Sequence, residues 1–187
     1  RIQNHSNMRS SMKFIAIIAL LVMAISASAQ EAQSPVIPSY GGVYNADWVV
    51  EKPDPNQEYK VVIDVATGSN DKTQAFYSLV NVARLMNLHV MGGASKDKMS
   101  VVLAIHGGAV WSILNNEEYK EKYGVDNPHI PLFKELKAAG VKLFVCSQSM
   151  IGRDLDPSMI AEEVVPATSM LTTMTTYQLK GYAALKF

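Results

Sequence analysis

Residues 99–108 read M-S-V-V-L-A-I-H-G-G. A short apolar run rich in β-branched residues and closed by two glycines is the pattern of a strand buried on both faces, and such strands belong to parallel sheets. The pattern recurs on either side. Residues 60–65 (K-V-V-I-D-V) run into Gly68-Ser69-Asn70-Asp71, and residues 141–145 (V-K-L-F-V) run into Cys146. Between the first two runs, Ala75, Phe76, Leu79, Val80, Ala83 and Met86 recur at spacings of three and four, which predicts a helix with one apolar face. Asp71 is expected to be its N-cap. Asn115-Asn116 precedes a polar helix over 117–122, and a second helix over 132–139 is closed by Gly140. After Cys146, Asp156-Pro157 opens a short helix and 164–165 is a brief strand. A helix over 169–179 has a thin, Thr-rich apolar face, and 183–187 is a last strand. Alternating strands and helices predict an α/β domain of three layers, a mainly parallel sheet with helices on both faces.

Two segments precede this domain. Residues 12–30 (M-K-F-I-A-I-I-A-L-L-V-M-A-I-S-A-S-A-Q) join a basic start, an apolar run and a small-x-small site at Ala27-Ser28-Ala29. That is an export signal, expected to be cleaved after Ala29, and the run is short for a membrane span. No Cys follows Ala29, so a lipid-anchored form is not expected. We therefore read 1–29 as an upstream extension plus signal peptide, 30–58 as an N-terminal arm and 59–187 as the domain. The product is expected to be periplasmic or secreted, with no membrane span after cleavage. The arm is rich in Pro, Gly, Asn and Gln, and Tyr40, Tyr44, Trp48 and Val49 are its expected anchors.

A chain of 187 residues that is 48% apolar can bury one core. Arg1, Arg9 and Lys13 are the only charged residues before position 30. Removing them from the 17 basic residues leaves 14 against 17 acidic ones. A mildly acidic mature chain gives no electrostatic support for binding nucleic acid. His, Cys and carboxylates show no metal-ligand spacing, Gly-x-Ser-x-Gly is absent, and Gly107-Gly108 is too little for a nucleotide loop. Neither a metal nor a cofactor is expected.

In sheets of this kind, reactive groups collect beyond the carboxyl ends of the strands. Those ends carry Asp64 to Gly68, His106-Gly107-Gly108 and Cys146-Ser147-Gln148-Ser149. Cys146 is the only cysteine, so it makes no internal disulfide; it is an inert buried thiol, an intermolecular partner or a reactive group. His106 is a candidate thiolate partner or a hydrogen-bonded structural histidine. His89 and His129 are assigned no role.

The chain resembles the DsrE/DsrF-like sulfur-relay family in its exported branch. The resemblance runs from residue 40 to the end, through Y-G-G-V-Y (40–44), V-V-L-A-I-H-G-G-A (101–109), V-K-L-F-V-C-S-Q-S (141–149) and Y-Q-L-K-G-Y-A-A-L-K-F (177–187). It implies a five-stranded, mainly parallel sheet and homo-oligomers. It also implies sulfur carried as a cysteine persulfide between donor and acceptor proteins, with Cys146 at the carrier position. Gly107, Ser147, Gln148 and Ser149 are then the candidate binding residues around it. Ser147 stands where the family loop often has Gly, and Arg153-Asp154 stands where an Arg-Gly pair usually follows. The competing reading is a non-catalytic homo-oligomeric binding module with a structural cysteine.

Overall fold

In the computed structural model, which describes residues 30–187, all three apolar runs are strands: β1 (Tyr59–Val65), β2 (Met99–Ile105) and β3 (Lys142–Cys146). Two shorter strands, β4 (Val165–Ala167) and β5 (Ala183–Lys186), complete a sheet in the order β4-β3-β2-β1-β5. Every pairing is parallel. The expected export signal and upstream extension lie outside the described residues.

The connecting helices are α1 (Tyr77–Met91), α2 (Asn116–Tyr123), α3 (Ile130–Ala138), α4 (Ser147–Ile151) and α5 (Met170–Leu179). The chain steps one way along the sheet from β1 to β4. Right-handed crossovers therefore place the intervening helices on one face. Val61, Ile63, Leu103, Ile105 and Val145 point there and bury against Phe76, Leu79, Met86, Phe133 and Leu136. Each fully buried aliphatic or aromatic side chain of this kind contributes about 1.5–3 kcal/mol. From β4 the chain returns to the far edge, so α5 crosses β3, β2 and β1 on the opposite face. That face buries Val62, Val102 and Ala104. It also holds the Phe144–Tyr177 ring pair and the 2.7 Å bond between Ser100 and Tyr182 hydroxyls. Helices thus cover both faces.

Helix starts follow local chemistry, with one correction. Asn115 and Ser169 accept N–H bonds as N-caps of α2 and α5, and Gly140, at φ +87°, follows α3. Asp71 is not the cap of α1. Its Oδ1 accepts from the Thr73 N–H (2.9 Å) and hydroxyl (2.6 Å), closing a local turn. Helix α1 begins later, where the Phe76 N–H donates to His129 Nε2 at 3.0 Å. A buried imidazole from another element replaces the carboxylate.

Residues Ala32–Phe187 form one compact unit. The arm is held by different residues from those expected. Tyr40 packs against the core, but Tyr44, Trp48 and Val49 are exposed, Trp48 by 81%. Val36, Ile37 and Val43 are buried instead. Asn87 on α1 clamps the arm: its Oδ1 accepts the Val36 and Ile37 N–H groups (2.9 and 3.0 Å). Its Nδ2 donates to the Tyr40 and Gly41 carbonyls (3.0 and 3.1 Å). Gly41, at φ +65°, lies so close to α1 that a Cβ would sit 2.3 Å from the Arg84 nitrogen.

Candidate functional site around Cys146

Side chains alternate across a strand, so residues two apart share a face. Asp64 on β1 and Cys146 on β3 occupy positions of the α5 face, and His106 continues β2 onto the same face in fully extended backbone. Ile105 pairs with Val145, so the next step in register sets His106 beside Cys146 on strands about 4.8 Å apart. Register thus places both expected residues on one rim.

Their immediate partners differ. Cys146 is a free, buried cysteine at the N-cap of α4. Burial pushes its thiol pKa up. Against that, the thiol receives hydrogen bonds from the Met170 N–H, the Ser149 hydroxyl and the Ser149 and Gln148 N–H groups, and the net shift is downward. The first N–H groups of a helix have no partner within it and favour an anion. Here two helices, α4 and α5, turn such groups toward one sulfur. At α5 the Ser169 hydroxyl takes the Thr172 N–H (3.1 Å), while the Met170 N–H bonds to Cys146.

His106 is engaged on its other side. Its Nε2 donates to Asp64 Oδ1 at 2.5 Å, and Asp64 Oδ2 lies 3.7 Å from the Lys186 ammonium on β5. Asp64 and His106 side chains are only 15% and 19% exposed. Gly107 shapes the backbone of the rim. At φ +54°, it lets the loop after β2 lie against Ala66, whose carbonyl accepts the Ala109 N–H at 3.0 Å. Of the loop after β3, Gln148 supplies an amide and Ser149 an amide and a hydroxyl, while Ser147 is the first residue of α4. Asp154 occupies the left-handed region at φ 55°, the conformation that Gly adopts freely.

The other two histidines among the described residues, His89 and His129, are structural. His89 Nδ1 donates to the Leu85 carbonyl at 2.8 Å. His129 is fully buried between the Phe76 N–H and Asn127 Oδ1. Desolvation, with the Lys72 charge adding to it, pushes its pKa down to about 3. Among the described residues no cluster of His, Cys, Asp or Glu is suited to a metal ion, and no helix is long and apolar enough to cross a membrane.

Sequence reading missed Met170, Lys186 and the pairing of Asp64 with His106. Alternation on the strands was the available signal for Asp64. The Met170 contact is a backbone amide, which no side-chain motif announces.

The sequence pattern of the DsrE/DsrF-like family matches residues 60–187, taking in all but the first residue of β1, the other four strands and the whole rim. No curated protein matches the chain. Among solved structures, a protein of unknown function, MTH1491 from Methanobacterium thermoautotrophicum, superposes with a TM-score of 0.52 at 17% identity. That match covers 69% of this chain and 99% of the other. The ychN protein from E. coli gives a TM-score of 0.49 at 19% identity, covering 68% and 99% respectively. The first of these likenesses speaks for the fold alone. The match over 60–187 is the ground for assignment: the chain belongs to the DsrE/DsrF-like family.

Proposed function

We propose that Cys146 carries sulfur as a persulfide between a donor and an acceptor protein. The observation that carries this reading is the convergence of three amides and the Ser149 hydroxyl on one thiol. Such a cradle favours the thiolate, which is the nucleophile, and serves equally for the anion of a persulfide. In the first step the Cys146 thiolate attacks the outer sulfur of a donor R–S–SH. A sulfur–sulfur bond forms to Cys146, the donor's bond breaks, and R–S⁻ leaves. In the second, an acceptor thiolate attacks that same outer sulfur and Cys146 departs as thiolate. No net oxidant is needed and no cofactor enters. His106, adjacent at the rim, is the candidate proton partner.

Export and homo-oligomerisation belong to the same proposal. The signal-like segment supports the first, and the exposed Leu171 and Leu179 on α5 support the second. Intact mass of protein from the envelope fraction tests cleavage after Ala29; light scattering tests self-association.

The central test is alkylation of Cys146 against pH, with mass spectrometry after incubation with polysulfide. We expect a thiol that reacts as thiolate at neutral pH and gains the mass of one sulfur atom, an adduct absent in Cys146→Ser. A thiol that reacts only on unfolding, with no adduct, overturns the carrier and leaves the binding module.

A further inference from the structure

The rim carries a connected row of groups that the sulfur chemistry of Cys146 does not by itself require: Lys186 on β5, Asp64 on β1 and His106 on β2, in order toward Cys146 on β3. We infer that Asp64 is a positioning residue for this site: it holds His106 in one tautomer and orientation, leaving Nδ1 as the nitrogen that exchanges a proton with sulfur at Cys146. The inference deepens the carrier reading and rests on it.

A carboxylate only accepts hydrogen bonds, so the 2.5 Å contact places the proton on His106 Nε2. In the neutral ring the lone pair then sits on Nδ1. When Nδ1 takes up a proton, the resulting imidazolium faces the Asp64 carboxylate directly. Lys186, on the second carboxylate oxygen at 3.7 Å, draws on that same negative charge and limits the support. A ring so anchored can take a proton from the Cys146 thiol, or from the S–H of an incoming donor, and return it to the departing thiol. The pair is largely shielded from solvent, which strengthens the coupling relative to a surface ion pair.

Few other groups compete. Helix α5 (M-L-T-T-M-T-T-Y-Q-L) lies over this face and carries no charged residue; its Tyr177 ring meets Phe144 at a tilt and Tyr182 edge-on, with the Lys142 and Lys180 ammonium groups 5.9 and 5.2 Å from its centroid. Strand β4 (V-P-A) carries no titratable side chain, and α4 (S-Q-S-M-I) none either. Arg153 is bound to the Ser149 carbonyl at 3.0 Å, and the Tyr182 hydroxyl to Ser100. The ionisable groups in line along this rim are thus Lys186, Asp64, His106 and Cys146.

The test uses the mature protein and three variants, Asp64→Asn, Asp64→Glu and Lys186→Met. Ring ¹⁵N shifts of His106 report its tautomer, and iodoacetamide reports Cys146 reactivity from pH 5 to 10. We expect the Nε2–H tautomer in the wild type. In Asp64→Asn that preference is lost, and alkylation at pH 7 slows about tenfold, one unit of the profile, but recovers at high pH. Asp64→Glu restores part of the profile. Lys186→Met, on an exposed side chain, shifts the profile the opposite way by about threefold, and still decides the matter if Asp64→Asn does not fold. A wild-type tautomer and profile in Asp64→Asn, or an unchanged profile in Lys186→Met, overturns the inference while persulfide formation stands. A wild-type thiol inert until unfolding overturns the carrier reading and the inference together.

Discussion

The sulfur of Cys146 is held by amides, and an amide sits where the backbone puts it whatever side chain it bears. Gln148 and Ser149 differ in this respect. Gln148 contributes only its N–H, so Gln148→Ala is expected to leave thiol reactivity unchanged. Ser149 contributes a hydroxyl as well, so Ser149→Ala is expected to slow alkylation at neutral pH about tenfold, from the loss of one hydrogen bond to an anion. Alkylation rates of the two variants check this. Asp154 offers a second residue-level prediction. At φ 55° it has the strain that a Cβ imposes in the left-handed region, and it is not among the groups bonded to the sulfur. Asp154→Gly, the residue the family usually has there, should stabilise by about 1 kcal/mol, raising Tm by roughly 3 °C in a scanning calorimeter. At this scale the strand-end positions of Cys146 and His106 were legible because strand ends can be read from apolar runs. Their true partners were not, since Met170 acts through its backbone and Asp64 through a register that only the folded sheet sets.

Among the elements, the arm was the hardest to read. Bulky apolar side chains suggested its anchors, yet Trp48 is exposed while the smaller Val36, Ile37 and Val43 are buried. What fixes the arm is a polar side chain: Asn87 satisfies four backbone groups of 36–41 at once. Hydrophobicity cannot announce such a clamp, because a buried Asn in an amphipathic helix reads as a blemish in the pattern. Asn87→Leu keeps the branched outline of the side chain and strands those groups in the interior, so we expect a loss of about 3 kcal/mol in urea denaturation. Proteolysis should then open at 35–42, a stretch expected to resist in the wild type. Strands β1 to β3 and helix α3 were legible throughout, since strong apolar periodicity and a terminal Gly leave little for tertiary context to override. The start of α1 was not, because its N-terminal donor is met by His129 from a distant loop.

For the molecule as a whole, the same His129 sets a pH response. The unfolded chain protonates it near 6.5, whereas the folded protein does so only at about 3. Between those values the unfolded state binds the extra proton, so stability is complete above about pH 6.5 and falls as pH drops toward 3. The slope approaches about 1.4 kcal/mol per pH unit. Urea denaturation at pH 7 and pH 5 should therefore differ by roughly 2 kcal/mol, and the His129 ring resonances should not titrate across that range. Flat stability with a titrating ring contradicts this. Fold class was readable from the alternation of strand and helix; the strand order was not, because the periodicity of a buried strand says nothing about which edge it joins. That order has a consequence in time. Strand β5 pairs with β1, Val61 with Ala183, and the helix that spans the gap supplies the Met170 amide. During synthesis the ribosome delivers Cys146 before Met170, and contacts so distant in sequence close late. The nascent cysteine thus lacks its full anion cradle until the C-terminal crossover docks, and a chain cut short before Met170 carries the thiol without the complete setting that activates it.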